Sequence, residues 1–444
     1  MGNAREILIG KPAPAYGRLR GGEWEKALAY AEGYKQFLNA GKTERECTAE
    51  ALRMAEGRGL LSYARHNKAV ILIKRGRRPL SEGTRIVAAH IDSPRIDVKP
   101  YPLYEQDGFA MLKTHYYGGI KKYHWMAMPL ELRGVVVLRD GTAVTLAPDA
   151  DEPVLFISDL LPHLGADQAK KVLSEAFPGE NLNVTAGTIP SEEDGDEKVK
   201  FAVMSLLHKR YGMTEHDFQS AELCFVPAGT ARDAGLDGSM IGAYGHDDRS
   251  CAYAAMKALF DAEDPEYTAV CVLADKEEIG SEGITGMQSA FFDTVMEDLC
   301  AAEGTALRTC YANSFCFSGD VTNAFDPNFA DVSDARNNAR LGHGPCVMKA
   351  TGRGGKSGSS DASAETMGKT RRLLDGAGVC WQMGELGKVD QGGGGTVALF
   401  LARRNIEVVD IGVPVLNMHA PMEIAAKIDC WELYKAFSAL YADR

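Results

Sequence analysis

Arg85-Ile86-Val87-Ala88-Ala89-His90-Ile91-Asp92 is the stretch on which the fold turns. A short apolar run of this kind is a buried strand, and it delivers His90 and Asp92 at its C-terminal end. The arrangement recurs along the chain. Residues 268–274 form an apolar strand ending in Asp275-Lys276-Glu277-Glu278. Residues 314–317 lead to Asp320, and residues 407–416 run into Met418-His419. Carboxylates and imidazoles therefore gather past strand ends, the edge at which open α/β sheets bind ligands.

Working outward, apolar residues at helical spacing predict helices over residues 24–37, 48–56 and 250–260, with strands over 69–73 and 378–383. A helix is expected after His419. Between about residues 99 and 234 the texture changes. Gly134-Val135-Val136-Val137-Leu138, Asp140-Gly141 and Ala143-Val144-Thr145-Leu146 spell a β-hairpin, and residues 191–197 are an acidic, solvated connection. The chain thus divides into an α/β domain, residues 1–98 and 235–444, and an inserted β-rich domain, residues 99–234. At 444 residues it exceeds what one core usually supports.

The formal net charge of -12 argues against a nucleic-acid surface and an anionic-membrane partner. No apolar run approaches the roughly 20 residues needed to span a bilayer. The opening MGNAREILIG lacks the apolar core of a signal peptide, so a cytoplasmic location is expected. Ten cysteines occur without a C-x-x-C pair; buried free thiols are expected rather than a cysteine zinc site.

Each candidate has a bland reading beside the chemical one. His90 offers an imidazole nitrogen, and Asp92, two residues on in extended chain, can hold the other ring nitrogen. Asp247, in Gly245-His246-Asp247-Asp248-Arg249, opens a helix, where capping is the simple explanation. Glu277 and Glu278 are adjacent carboxylates at a buried strand end. Burying them unpaired costs on the order of several kcal/mol each, which a cation removes; a solvent-facing turn is the alternative. Asp320 and His419 taken singly are a turn residue and a core histidine. Together, two imidazoles and several carboxylates suit zinc or a similar first-row ion better than magnesium or calcium.

In order, spacing and context, the segments around His90, Asp247, Glu277-Glu278, Asp320 and His419 resemble the aspartyl aminopeptidase family of metallopeptidases, in a divergent bacterial branch. The resemblance covers most of the chain. It implies a mixed-sheet α/β metallo-aminopeptidase domain with helices on both faces, and an inserted β-rich domain that dimerises and builds tetrahedral homo-oligomers, usually dodecamers. It implies two divalent cations per subunit, zinc first, with cobalt or manganese as substitutes. Asp247 would bridge both ions, His90 and Asp320 would serve one, and Glu278 and His419 the other. Glu277 would be the general base, with Asp92 supporting His90. The substrates would be peptides with a free N-terminus. Lys349 would lie in the substrate region, and His163 of the inserted domain would reach a neighbouring subunit's site.

Two departures bear on specificity. Asp247-Asp248 stands where the family often has Asp-Asn, and Asn323 and Asp326 stand where eukaryotic relatives carry histidines. A preference for N-terminal Asp or Glu is therefore not implied. Gly352-Arg353-Gly354-Gly355-Lys356-Ser357 fails as a phosphate loop, because Ala350 occupies its first glycine position, and is a loop at the site rim. Asp390-Gln391-Gly392-Gly393-Gly394-Gly395-Thr396 is a tight turn or a close approach to substrate. A deacylase of N-acyl amino acids and a non-catalytic assembly protein are the competing readings.

Overall fold

The computed structural model of the chain describes residues 8, 13–149 and 151–444. The opening segment MGNAREILIG, expected to carry no leader, lies outside them apart from Leu8. The chain forms two compact units: Met1–Asp92 with Ala231–Met418 and Met422–Arg444, and Ser93–Thr230 with His419–Pro421.

In the first unit an eight-stranded mixed sheet runs in the order Leu61–Arg65, Ala69–Lys74, Thr268–Ala274, Thr84–His90, Phe315–Gly319, Glu407–Gly412, Cys346–Met348 and Gln382–Met383. The four strands from Thr268–Ala274 to Glu407–Gly412 are mutually parallel. Successive residues of a strand point to opposite faces, and both faces are covered. Val87 and Ala89 join a core with the helices Glu23–Ala40, Glu44–Ala55, His246–Asp261 and Lys427–Tyr441. Ile86 and Ala88 join a second core with Phe291–Ala302, Leu307–Ala312 and Ala398–Ala402. Strands buried on both sides are expected to be continuously apolar, and Ala69-Val70-Ile71-Leu72-Ile73 is. Burying each of its larger aliphatic side chains contributes roughly 1.5–3 kcal/mol.

Four sequence expectations need correction. The strand over 407–416 is two strands: Glu407–Gly412 in the large sheet and Pro414–Leu416 in a separate five-stranded one. Pro414 has no N–H to continue the ladder, and at Gly412 a Cβ would lie 1.8 Å from the Asp320 carbonyl oxygen, so the chain passes close to the site loop and turns away. The strand over 378–383 shrinks to Gln382–Met383. After His419 a strand, Glu423–Ala426, precedes the last helix. The helix predicted from residue 48 begins at Glu44, where Thr43 and Glu46 form a capping box.

The second unit holds a seven-stranded antiparallel sheet in the order Ala143–Leu146, Leu130–Val137, Ala221–Pro227, Arg95–Gln106, Phe109–Tyr117, Val184–Gly187 and Phe156–Ile157. One helix, Lys198–Tyr211, packs on it, and its first N–H groups at Val199 and Lys200 donate to Glu105 at 2.8 and 3.0 Å. The ten cysteines are free and buried. Among the described residues no helix is long and apolar enough to cross a membrane.

Candidate metal centre

Register explains why distant residues meet. His90 is aligned with Ala274 across the parallel pair, so Glu277 and Glu278 begin three residues past the level of His90. Ser318 is aligned with Ala88, which brings Asp320 level with His90. Gly319 lets the site strand press against the helix His246–Asp261, since a Cβ there would meet the Cys251 Cβ at 2.9 Å.

Asp247 arrives from a different direction. It follows the strand Met240–Ala243 of the five-stranded sheet and sits in the opening turn of His246–Asp261, where Asp247 (φ -83°, ψ 107°) and Asp248 (φ -115°, ψ 25°) leave helical geometry. The peptide bond between them is cis. The N–H of Asp247 donates to Glu423 Oε2 at 3.0 Å, and Glu423 is a buried carboxylate on the neighbouring strand. Neither aspartate is the residue that caps this helix, a place taken by Gly245.

His90 is buried and gripped at both nitrogens. Nδ1 donates to the Asp92 carbonyl at 3.0 Å and lies 3.3 Å from Asp92 Oδ1. That fixes the tautomer and leaves Nε2 facing Asp247 Oδ1 at 3.2 Å and Glu277 Oε2 at 3.9 Å. Asp92 also accepts from the N–H groups of Glu277 (3.1 Å, to Oδ1) and Glu278 (3.2 Å, to Oδ2), so one carboxylate orients the imidazole and the glutamate turn together. Asp248 Oδ2 accepts from the His90 N–H at 3.2 Å.

Three overlapping groups have donor atoms within 4.8 Å of one another: His90 with Asp247 and Glu278, His90 with Glu277 and Asp320, and Asp247 with Asp248 and Asp320. The electrostatics match this crowding. Burial pushes Asp320 well above the usual carboxylate range, with the charges of Asp248 and Glu277 adding to it. Asp248 is raised well above that range by burial and by Asp247, against the pull of His90. Burial would lower His90, but its hydrogen bonds to Asp247 and Asp92 win and raise it well above the ordinary imidazole value. Buried carboxylates that repel one another around one imidazole are relieved by a divalent cation, and one nitrogen among oxygens suits a first-row ion. The donor set therefore fits a resident metal.

The other named residues lie as follows. His419 packs with the second unit, where its Nδ1 donates to the Gly119 carbonyl at 2.8 Å, and it is in none of the three donor groups. His163 is exposed in the short turn Pro162–Leu164 of the same unit. Lys349 follows the strand Cys346–Met348, and its ammonium lies 2.5 Å from Asp361 Oδ1. The two glycine-rich loops meet: Gly394 N–H donates to the Thr351 carbonyl at 2.8 Å and Arg353 Nε to the Gly393 carbonyl at 3.0 Å. Glu423 and Asp361 were not among the sequence candidates, and Asp248 entered only as the second residue of the Asp247-Asp248 pair. The doubled aspartate is the signal for Asp248, whereas Glu423 and Asp361 carry no local signal.

A buried cluster of imidazole and carboxylates past the carboxyl ends of the parallel strands of a mixed sheet is the donor set of a divalent-metal protein. Comparison with known proteins makes this specific. The family model described as aminopeptidase I zinc metalloprotease (M18) matches residues 45–441. A probable M18 family aminopeptidase 1 of Clostridium acetobutylicum is 45% identical over 441 residues, covering 94% of this chain and 95% of the relative. The crystal structure of an M18 aminopeptidase from Thermotoga maritima superposes with a TM-score of 0.94 at 40% identity, covering 98% and 99% of the two chains. That of aminopeptidase I from Clostridium acetobutylicum gives 0.93 at 41%, covering 98% and 100%. The chain belongs to the M18 family of zinc metallo-aminopeptidases, hydrolases that require a divalent metal.

Proposed function

We propose that the aminopeptidase reaction of this chain runs at the His90–Asp247–Glu277–Glu278–Asp320 cluster, with two divalent cations, zinc first, shared by Asp247. By the family resemblance, His90 and Asp320 would complete the donors of one ion, and Glu278 and His419 those of the other. When bound, the ions supply Lewis acidity and make water a nucleophile near neutral pH. Glu277 holds the proton chemistry: it takes a proton from the attacking water and returns one to the leaving amine. Asp92 keeps the His90 tautomer and the Glu277–Glu278 turn in place. The substrates are peptides with a free N-terminus, whose α-ammonium suits an acidic site.

The observation that carries this reading is that His90, Asp247, Glu277, Glu278 and Asp320, with Asp248, fall into three overlapping groups of three whose donor atoms lie within 4.8 Å of one another. The second unit is proposed as the surface of a tetrahedral dodecamer. In support, Leu160, Leu161, Leu164, Val172 and Leu173 are each about half exposed or more within one short segment, an apolar density that monomers seldom show to water. Unblocked and N-acetylated aminoacyl substrates, assayed with zinc, cobalt and manganese, test the reaction. Cleavage of the unblocked series is expected; cleavage of the blocked series alone refutes the reading.

A further inference from the structure

A buried cation, Lys68, pairs with Asp275, two residues before Glu277. Arg65-His66-Asn67-Lys68 is a tight hairpin turn. His66 and Asn67 both have positive φ (49° and 52°), and the Lys68 N–H donates to the Arg65 carbonyl at 3.0 Å. Arg65 pairs with Ala69, so residues 66–68 form a three-residue loop whose length fixes the register of the two strands. The following strand, Ala69–Lys74, runs antiparallel to Thr268–Ala274 with Val70 opposite Leu273. That register carries Lys68 to the level of Asp275.

There the Lys68 ammonium lies 3.4 Å from Asp275 Oδ2 and 3.3 Å from Glu44 Oε1. The three side chains are 7%, 1% and 5% exposed, so the group is sealed from water. Asp275 in turn anchors the segment that follows it. Its Oδ1 accepts from the Lys276 N–H at 2.8 Å, and its Oδ2 accepts from the Thr285 hydroxyl at 2.6 Å. The next two N–H groups, at Glu277 and Glu278, sit on Asp92. Two buried carboxylates, Asp275 and Asp92, thus hold consecutive residues of one short turn, and Asp275 is repelled first by Glu44 and then by Asp92. Lys68 is the cation on the Asp275 side of that pair.

We propose that Lys68 is a positioning residue for the catalytic turn: its buried ammonium holds Asp275 in place, and through Asp275 sets where the carboxylates of Glu277 and Glu278 stand. The inference rests on the reading of Glu277 as the general base. A bulk structural role would be served by any residue that fills the space. A positioning role needs the positive charge, because without it Asp275 is left buried beside Asp92 with no cation to draw it back. The reacting groups then shift, and displacement on the order of 1 Å at a reacting centre costs about 100-fold in rate.

The test compares Lys68→Met, which keeps length but not charge, with Lys68→Arg and with the Lys68→Met/Asp275→Asn pair, all in the metal-loaded full chain. Circular dichroism and zinc content are measured alongside. The expected result is a fall in kcat of about 10- to 100-fold for Lys68→Met, with KM within about threefold and zinc retained. Lys68→Arg recovers most of the loss, and the double variant is no worse than Lys68→Met alone, because both act through one contact. A folded Lys68→Met with kcat within about threefold of wild type overturns the proposal, as does a Lys68→Arg no better than Lys68→Met. If Lys68→Met does not fold, Asp275→Asn carries the test: unchanged kcat there overturns it. Glu277→Gln separates the layers. If it is inactive while Lys68→Met is unaffected, the positioning role alone fails; if it is active, the base assignment fails.

Discussion

Asp92→Asn is the substitution that asks most of the site. The side chain is fully buried and has two tasks: it sits beside His90 Nδ1 and accepts from the N–H groups of Glu277 and Glu278, one at each oxygen. Asparagine is isosteric, but its amide presents one acceptor and one donor. If the amide oxygen takes the Oδ1 place, the Glu277 and His90 contacts survive and the Glu278 N–H meets another donor. If it flips, Glu278 keeps its bond while Glu277 and His90 lose theirs. Either way at least one charge-assisted hydrogen bond is lost, about 1.5–3 kcal/mol. Converted at about 1.4 kcal/mol per decade, that is roughly 10- to 100-fold, the range expected when a group supporting a metal-bound histidine is removed. The loss should appear as weaker zinc binding in competition with a chromophoric chelator, and as a comparable fall in kcat at saturating zinc. Circular dichroism confirms that the variant is folded. A folded Asp92→Asn with zinc affinity and kcat both within about twofold of wild type would refute the claim that this carboxylate orients the imidazole and the glutamate turn.

Further outcomes follow from the same geometry. Glu277→Gln should lower kcat by about 10²- to 10⁴-fold while zinc content is kept, measured by single-turnover kinetics and elemental analysis; near-normal turnover contradicts the base assignment. Asp410 is buried, accepts from the Thr396 hydroxyl at 2.8 Å, and is pushed up to about 6 by that burial. Its folded state therefore holds a proton that the unfolded chain releases near pH 3.9, so stability falls as pH rises from about 4 to 6, by up to roughly 3 kcal/mol. Asp410→Asn should keep the Thr396 bond and be more stable than wild type at pH 7, with the two equal at pH 4, in denaturant titrations; equal stability at pH 7 contradicts this. Asp361→Asn releases Lys349 from its 2.5 Å ion pair. An exposed pair as short as this is worth about 0.5–1 kcal/mol, so KM for N-terminal Asp and Glu substrates should fall by about two- to fivefold relative to Leu substrates, and an unchanged ratio would exclude Lys349 from substrate recognition.

What the sequence made legible was set by one-dimensional signals. Apolar strands that end in His90, Glu277-Glu278 and Asp320 can be seen without coordinates, because buried parallel strands are continuously apolar and their chemistry sits just past the run. Asp247 was visible as an aspartate at a helix start, but capping could not be told from a ligand role until the backbone there was seen to leave helical geometry. The partners that hold the site were not legible. Glu423 meets Asp247 across a strand pair 176 positions away in sequence, and Lys68 reaches Asp275 only through antiparallel register. The break at Val413 was missed because both halves of 407–416 are apolar, and nothing in an apolar run says that the chain changes sheets. Residues 61–65 form a strand that is largely exposed at the sheet edge, so no apolar run announced it.

The proposed chemistry requires Asp247 to be the shared centre of a metal pair. Crystals of the zinc-loaded protein, measured above and below the zinc absorption edge, test it most directly. Two anomalous peaks are predicted, both at bonding distance from the Asp247 carboxylate, one flanked by His90 and Asp320 and the other by Glu278. Active, zinc-replete crystals with no anomalous peak beside Asp247 would contradict it.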